Sequence, residues 1–149
     1  MLSLAACSHA DTEDEGTAGP EIIAAIKARQ SNYKEIGGAF KAIGDELKSA
    51  TPDVNSIASA AREILARGSH QLQYFSRGSG PESHEKTRAK PEIWQDFAEF
   101  KRAHETFVGG AQRLVEAVGA SADRKALAEV RAALGQDCKA CHDRFRVPE

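Results

Sequence analysis

Methionine is all but missing from this chain: it occurs once, as Met1. A thioether side chain is therefore unavailable as a metal ligand anywhere beyond the first residue. No run of about 18 apolar residues occurs, which excludes a membrane-spanning helix. Aromatics make up only 6% of the residues, Val and Thr are sparse, and long strand-type alternations are absent. With Ala abundant, that balance favours helices. Neither sign of charge dominates, since 20 Lys and Arg face 22 Asp and Glu. The formal net charge of -2 lacks the basic footprint of a nucleic-acid binder. Three cysteines are too few for a disulfide framework once two are spoken for, as shown below.

What is present begins with a tail. Leu4-Ala5-Ala6-Cys7 resembles a bacterial lipobox, in which the cysteine is lipidated and becomes the mature N-terminus. The basic and apolar regions of a signal peptide do not precede it, so residues 1–19 read as a truncated signal and lipobox followed by an acidic tether. The plain alternative is an ordinary cysteine in a leader. Asp11, Glu13, Asp14 and Glu15 with Gly16 and Gly19 have the composition of a solvated linker.

Residues 20–149 carry four amphipathic segments and are expected to form one domain. Ile22, Ile26, Arg29, Tyr33, Ile36, Phe40, Ile43 and Leu47 alternate at spacings of four and three, the seam of one long helix over 20–49. Such a helix spans on the order of 40 Å. Thr51-Pro52 is the expected cap and first turn of a second helix. Its apolar face runs through Val54, Ile57, Ala61, Ile64, Leu65, Leu72 and Phe75, with Gly68 a point of interruption. A Gly- and Pro-containing loop follows, and Pro91 opens a third helix through Ile93, Phe97, Phe100, His104 and Phe107. Gly119 with Ser121 marks a stop and a fresh cap. Leu127, Val130, Leu134, Cys138, Cys141 and Phe145 face one side of the last helix. The expected fold is all-α, an antiparallel four-helix bundle.

Cys138-Lys139-Ala140-Cys141-His142 carries the chemistry. Residues three and four apart share a helix face. Two thiols can therefore meet the two vinyl groups of a haem, while the adjacent imidazole reaches its iron. A thioredoxin-type Cys pair follows a strand, and none precedes this one. A zinc site needs two further ligands that the spacing does not supply. The reading is one covalently attached haem c with His142 as the metal ligand. Such attachment happens outside the cytoplasm, so the compartment is expected to be the periplasm or its membrane face.

The sixth iron position follows by elimination. Met is unavailable, His9 lies in the tail, and His84 in a polar loop. His70 sits near the end of the second helix, and His104 falls on the apolar seam of the third. A histidine on such a face is more often a core or rim residue than a ligand. Arg29 on an apolar stripe calls for a buried anion, which haem propionates would supply. Tyr33, one turn further on, either covers the haem or packs with its hydroxyl at the rim. The expectation is five strong ligands and a crowded sixth side.

Four features together resemble the cytochromes c-prime, the class II c-type cytochromes, over residues 20–147. They are the C-terminal haem motif, the Asp143-Arg144-Phe145-Arg146 that follows it, Lys27-Ala28-Arg29-Gln30, and Lys90-Pro91-Glu92-Ile93-Trp94. The resemblance implies haem held between the helices of the bundle, and often a homodimer. It implies that Arg29 lies near a propionate, that Tyr33 is the distal residue, and that Leu72 and Phe75 line the distal pocket. Arg146 matches the basic residue beside the proximal histidine, and Trp94 a structural position. Five-coordinate relatives bind nitric oxide and carbon monoxide. The expected function is therefore a gas-binding haem protein that takes part in electron transfer with a periplasmic or membrane redox partner, and not an enzyme. The alternative is a tethered, low-spin carrier with two histidine ligands and no gas binding.

Overall fold

The computed structural model describes residues 18–148, so the lipobox reading of Cys7 and most of the acidic tail lie outside the described residues. Helix α1 runs Pro20–Lys48, α2 Val54–Ser69, α3 Glu92–Gln95, α4 Phe97–Gly119 and α5 Arg124–Phe145. The long helices α1, α2, α4 and α5 form the four-helix bundle. Helix α1 packs on α2, α2 on α4, and α4 on α5, while the seam between α1 and α5 is the sparse one.

Helix boundaries follow the carboxylates that cap them, and three differ from the sequence expectation. The second helix starts at Val54, not at Thr51-Pro52, because Asp53 accepts the backbone N–H of Asn55 at 2.9 Å. The third segment is broken in two at Asp96, which leaves helical dihedrals (φ -132°, ψ 67°) and caps α4 by accepting the Glu99 N–H at 3.1 Å. Asp123, not Ser121, caps α5, accepting the Ala126 N–H at 2.8 Å. Ser121 takes the left-handed conformation (φ 56°) that closes α4, with Ser121 N–H on Val118 O and Ala122 N–H on Ala117 O. That pair of bonds is the Schellman ending, in which glycine is more usual at the turning residue.

The second helix stops at Ser69, and a single 3-10 turn over Gln71–Tyr74 follows. Leu72 therefore sits on that turn and Phe75 just beyond it, off the face of α2. Gly68 is not the interruption. It stays helical and buried, and a Cβ there would stand 2.7 Å from Cε1 of Phe107, so the missing side chain lets α4 approach.

Two apolar clusters result. The larger holds Ile36, Ile43, Ile57, Ile64, Leu114 and Leu134 between the four long helices. The smaller holds Phe75, Ile93, Phe100 and Phe145 where α3 and the loop close one end. An antiparallel bridge between Ala89 and Arg146, with Lys90 N–H on Phe145 O and Val147 N–H on Arg88 O, ties that loop to the end of α5.

Gly68→Ala is expected to destabilise the fold by about 1–3 kcal/mol, because the buried Phe107 ring must move. Gly38→Ala, where an added Cβ meets nothing within 4 Å on the exposed face of α1, is expected to stabilise it by about 0.5–1 kcal/mol. Denaturant midpoints read both signs.

Candidate haem site

Along α1 and α5 the expected seams are buried at Ile26, Arg29, Ile36, Ile43, Leu127, Leu134 and Phe145, and half-buried at their other positions. Tyr33 and Phe40 on α1, and Cys138 and Cys141 on α5, are only partly buried. The space between them is a cavity of about 840 Å³. Its wall includes Cys138, Cys141 and His142 together, so the motif residues converge as its helical spacing requires.

Both thiols are free and half-buried. Burial, then the neighbouring Cys138, pushes the Cys141 thiol up to about 11, and burial raises Cys138 as well. Thiols held protonated in this way are poor redox nucleophiles, which argues against a thiol oxidoreductase. No group of three or more His, Cys, Asp or Glu side chains able to hold a metal ion occurs among the described residues, so the zinc reading finds no ligand set. Burial, and then the charges of Arg146 and Arg88, lower the pKa of His142 and favour the neutral imidazole that a metal needs. Arg146 Nη1 lies 3.5 Å from His142 Nδ1, as expected for the basic residue beside the proximal histidine.

The remaining wall is aromatic and cationic. Tyr33, Phe75, Phe100 and Phe107 line it, and its charged side chains are Arg29, Lys34, Lys86, Arg88 and Arg146, with no Asp or Glu among them. Two thiols and an imidazole on one face, apolar walls, and cations without carboxylates fit a planar apolar group bearing two carboxylates. The donor set and the cavity therefore suit a c-type haem: Cys138 and Cys141 would carry its thioethers and His142 would ligate its iron.

Arg29 is 3% exposed on the cavity wall, and the protein groups that it bonds are neutral. Nη1 donates to Ser79 Oγ at 2.9 Å and Tyr74 O at 3.4 Å, while Nη2 donates to Ser79 O at 2.6 Å and Thr87 Oγ1 at 2.7 Å. The rings of Phe75 and Trp94 lie 5.1 and 5.7 Å from its guanidinium carbon. Arg29 thus lines the cavity while strapping the loop over 76–90 onto α1.

Tyr33 lines the cavity, where burial and then the nearby Cys141 hold its hydroxyl protonated. Phe75 lines it as expected. Leu72, on the 3-10 turn, is not part of that lining and packs against the smaller cluster, whose Phe75 and Phe100 line the cavity. Trp94 is structural, its Nε1 donating to the carbonyls of Phe75 at 3.2 Å and Ser76 at 3.0 Å. His70 ends α2 and His84 turns the loop, and neither lines the cavity. His104 is buried and does line it, with burial lowering its pKa.

Ser79, Thr87, Lys86, Arg88 and Phe100 are site residues that the sequence reading passed over. Phe100 was legible as a seam position. The others come from a stretch read only as polar loop, and no local pattern marks a serine as wholly buried.

The helical bundle and its thiol–imidazole cavity define a c-type haem protein. The profile of the family described as Cytochrome C' matches residues 24–146. Cytochrome c' of Rubrivivax gelatinosus is 31% identical over 125 residues, covering 82% of this chain and 93% of that protein. Among solved structures, a cytochrome c' with an unusual ligand-controlled dimer dissociation superposes with a TM-score of 0.80 at 26% identity, covering 88% of this chain and all of the other. The nitric oxide complex of a leucine-to-alanine mutant of cytochrome c prime from Alcaligenes xylosoxidans gives a TM-score of 0.77 at 27% identity, over 89% of this chain and all of that one. The chain belongs to the cytochrome c' family, whose proteins carry covalently bound c-type haem.

Arg29→Leu is expected to cost about 2–4 kcal/mol, since it removes four hydrogen bonds to buried or half-buried acceptors. Arg29→Lys should not restore it, because one ammonium cannot span Ser79 and Thr87 as the guanidinium fork does. Denaturant unfolding and amide exchange over 76–90 report both effects.

The depressed pKa of His104 means that protonation favours the unfolded chain. Its contribution is present above its ordinary value of 6.5 and is lost as pH falls. His104→Phe should flatten the loss of stability of the haem-loaded protein from about pH 7 to about pH 5.

Proposed function

We propose that this protein is a five-coordinate haem protein of the periplasm, carrying one haem, that binds nitric oxide and carbon monoxide and takes part in electron transfer. One observation supports it: the wall of the cavity that His142 lines holds no methionine, and Tyr33 supplies the phenol and His104 the other imidazole on it. A protonated phenol is a weak ligand. The aromatic crowding by Tyr33, Phe75 and Phe100 offers a small apolar space, which suits an uncharged diatomic better than a bulky or charged substrate. When bound, the haem supplies the iron at which a diatomic ligand or an electron is taken up. The nitric oxide complex of the Alcaligenes relative supports gas binding by analogy.

The same proposal holds that the chain is not an enzyme, that it is exported and anchored by lipid at Cys7, and that it pairs with a second copy. The relative with ligand-controlled dimer dissociation supports the last point. No helix among the described residues is long and apolar enough to cross a membrane, so anchoring would fall to the lipid.

The alternative, two histidine ligands, draws support from His104, whose buried and neutral imidazole lines the cavity. A ferrous absorption spectrum decides between them. The five-coordinate reading expects a high-spin spectrum that shifts on adding carbon monoxide. A low-spin spectrum without that shift, turned high-spin by His104→Phe, would establish the alternative. In the five-coordinate case Tyr33→Met is expected to give a low-spin ferrous form and to weaken carbon monoxide binding at least about tenfold.

A further inference from the structure

Gln71 is a fully buried amide, at 0% exposure, on the 3-10 turn that follows α2. Its side chain reaches across to α1. Nε2 donates to the Arg29 carbonyl at 3.3 Å, and Oε1 accepts from Asn32 Nδ2. Asn32 is itself held to α2, since its Nδ2 also donates to Arg67 O at 3.0 Å and its Oδ1 accepts from Arg67 Nη1 at 3.2 Å. Tyr33 follows Asn32 and lies one turn past Arg29, so both Gln71 bonds grip the turn of α1 that carries the phenol.

A buried amide needs partners for its hydrogens, and Gln71 has two N–H donors and one carbonyl. The Arg29 carbonyl takes one donor and Asn32 fixes the carbonyl, which orients the amide and leaves the second N–H. Tyr33 is the partner that remains, for the two side chains share a hydrogen bond. Burial and then the charge of Cys141 raise the pKa of Tyr33, whereas this bond works to lower it. That sign belongs to a hydrogen donated to the phenol oxygen, because such a bond favours the phenolate. The hydroxyl proton is therefore not spent on Gln71, and Tyr33 lines the haem cavity while Gln71 does not.

We infer that Gln71 is a positioning residue: it fixes the Tyr33 hydroxyl so that its proton is donated to the outer atom of a diatomic gas held in the haem cavity. The inference rests on the gas-binding reading above. Phe75 and Phe100 give an uncharged gas an apolar space, and one phenol among them adds a directed donor. Such a donor favours the gas whose outer atom gathers negative charge, so Gln71 tunes selectivity without touching the ligand.

The test is infrared spectroscopy of the carbon monoxide complex of the haem-loaded protein. A hydrogen bond donated to the ligand lowers the C–O stretching frequency and makes it sensitive to heavy water. Tyr33→Phe keeps the ring and should raise the frequency, abolish the heavy-water shift and speed carbon monoxide dissociation about two- to tenfold. Gln71→Leu leaves the phenol in place but unheld. It should move the frequency toward that of Tyr33→Phe and turn one narrow band into a broad or split one. The double variant should match Tyr33→Phe alone, because Gln71 acts only through the phenol. Asn32→Ala frees the Gln71 carbonyl while both side chains remain, and should act like Gln71→Leu in smaller measure. Thermal unfolding shows that each variant is folded, and Asn32→Ala keeps the test decisive where Gln71→Leu does not fold.

A frequency unchanged by Tyr33→Phe overturns the donor. A frequency raised by Tyr33→Phe but by neither Gln71→Leu nor Asn32→Ala overturns the positioning role. A protein whose spectrum does not respond to carbon monoxide in any variant instead overturns the gas-binding reading, and the inference falls with it.

Discussion

A guanidinium buried among apolar side chains must bond at nearly every N–H or lose several kcal/mol to desolvation. In this chain Arg29 meets that demand with Tyr74, Ser79 and Thr87, residues 45 to 58 positions away. The acceptors are two backbone carbonyls and two hydroxyls of one loop, so satisfying the charge folds the loop. Once it is folded, Ser79 is buried at 0% exposure, Phe75 lies against the guanidinium, and Thr87 brings Lys86 and Arg88 to the cavity. The bridge between Ala89 and Arg146 then fixes the same loop to α5 beside His142. One charge on α1 therefore positions Phe75, Lys86 and Arg88 on the cavity wall.

That dependence explains what was legible in the sequence and what was not. The periodicity of α1 and α5 could be read directly, because a bundle repeats its packing every three or four residues. The haem motif was legible for the same reason, since its three functional side chains lie within one helical turn or so of each other. Helix starts were read less well. Asp53, Asp96 and Asp123 each capture a backbone N–H two or three residues on, and a nearby Thr, Pro or Ser looks equally suitable from pattern alone. The break at Asp96 is a local choice between continuing a helix and capping a new one. The seam residues on either side look the same under both.

Arg29 was legible as a buried cation in need of partners, but its partners within the protein were not. Four neutral acceptors serve if they can be brought together. Nothing local reveals that Ser79 and Thr87 will be, because the contact is made by chain topology and not by spacing. Leu72 shows a different limit of spacing. Its spacing suited the face of α2, yet the helix ends three residues earlier, and a 3-10 turn advances side chains at a different angle from an α-helix. Phe75 survives that shift because aromatic neighbours from α3 and α4 receive it.

The cavity also changes how the stability of the bundle should be understood. The sparse seam between α1 and α5 leaves Tyr33, Phe40, Cys138 and Cys141 short of the contacts that Ile43 or Leu134 enjoy. A void lined by aromatic rings forfeits dispersion contacts. A flat apolar guest restores them. The fold is thus incomplete by design of its own sequence, and haem binding is coupled to stability as well as to function. A substitution that fills the cavity with protein side chains should stabilise the haem-free chain while excluding haem, so selection for stability alone would not preserve this seam. The sparse contact between α1 and α5 is the structural record of the cofactor.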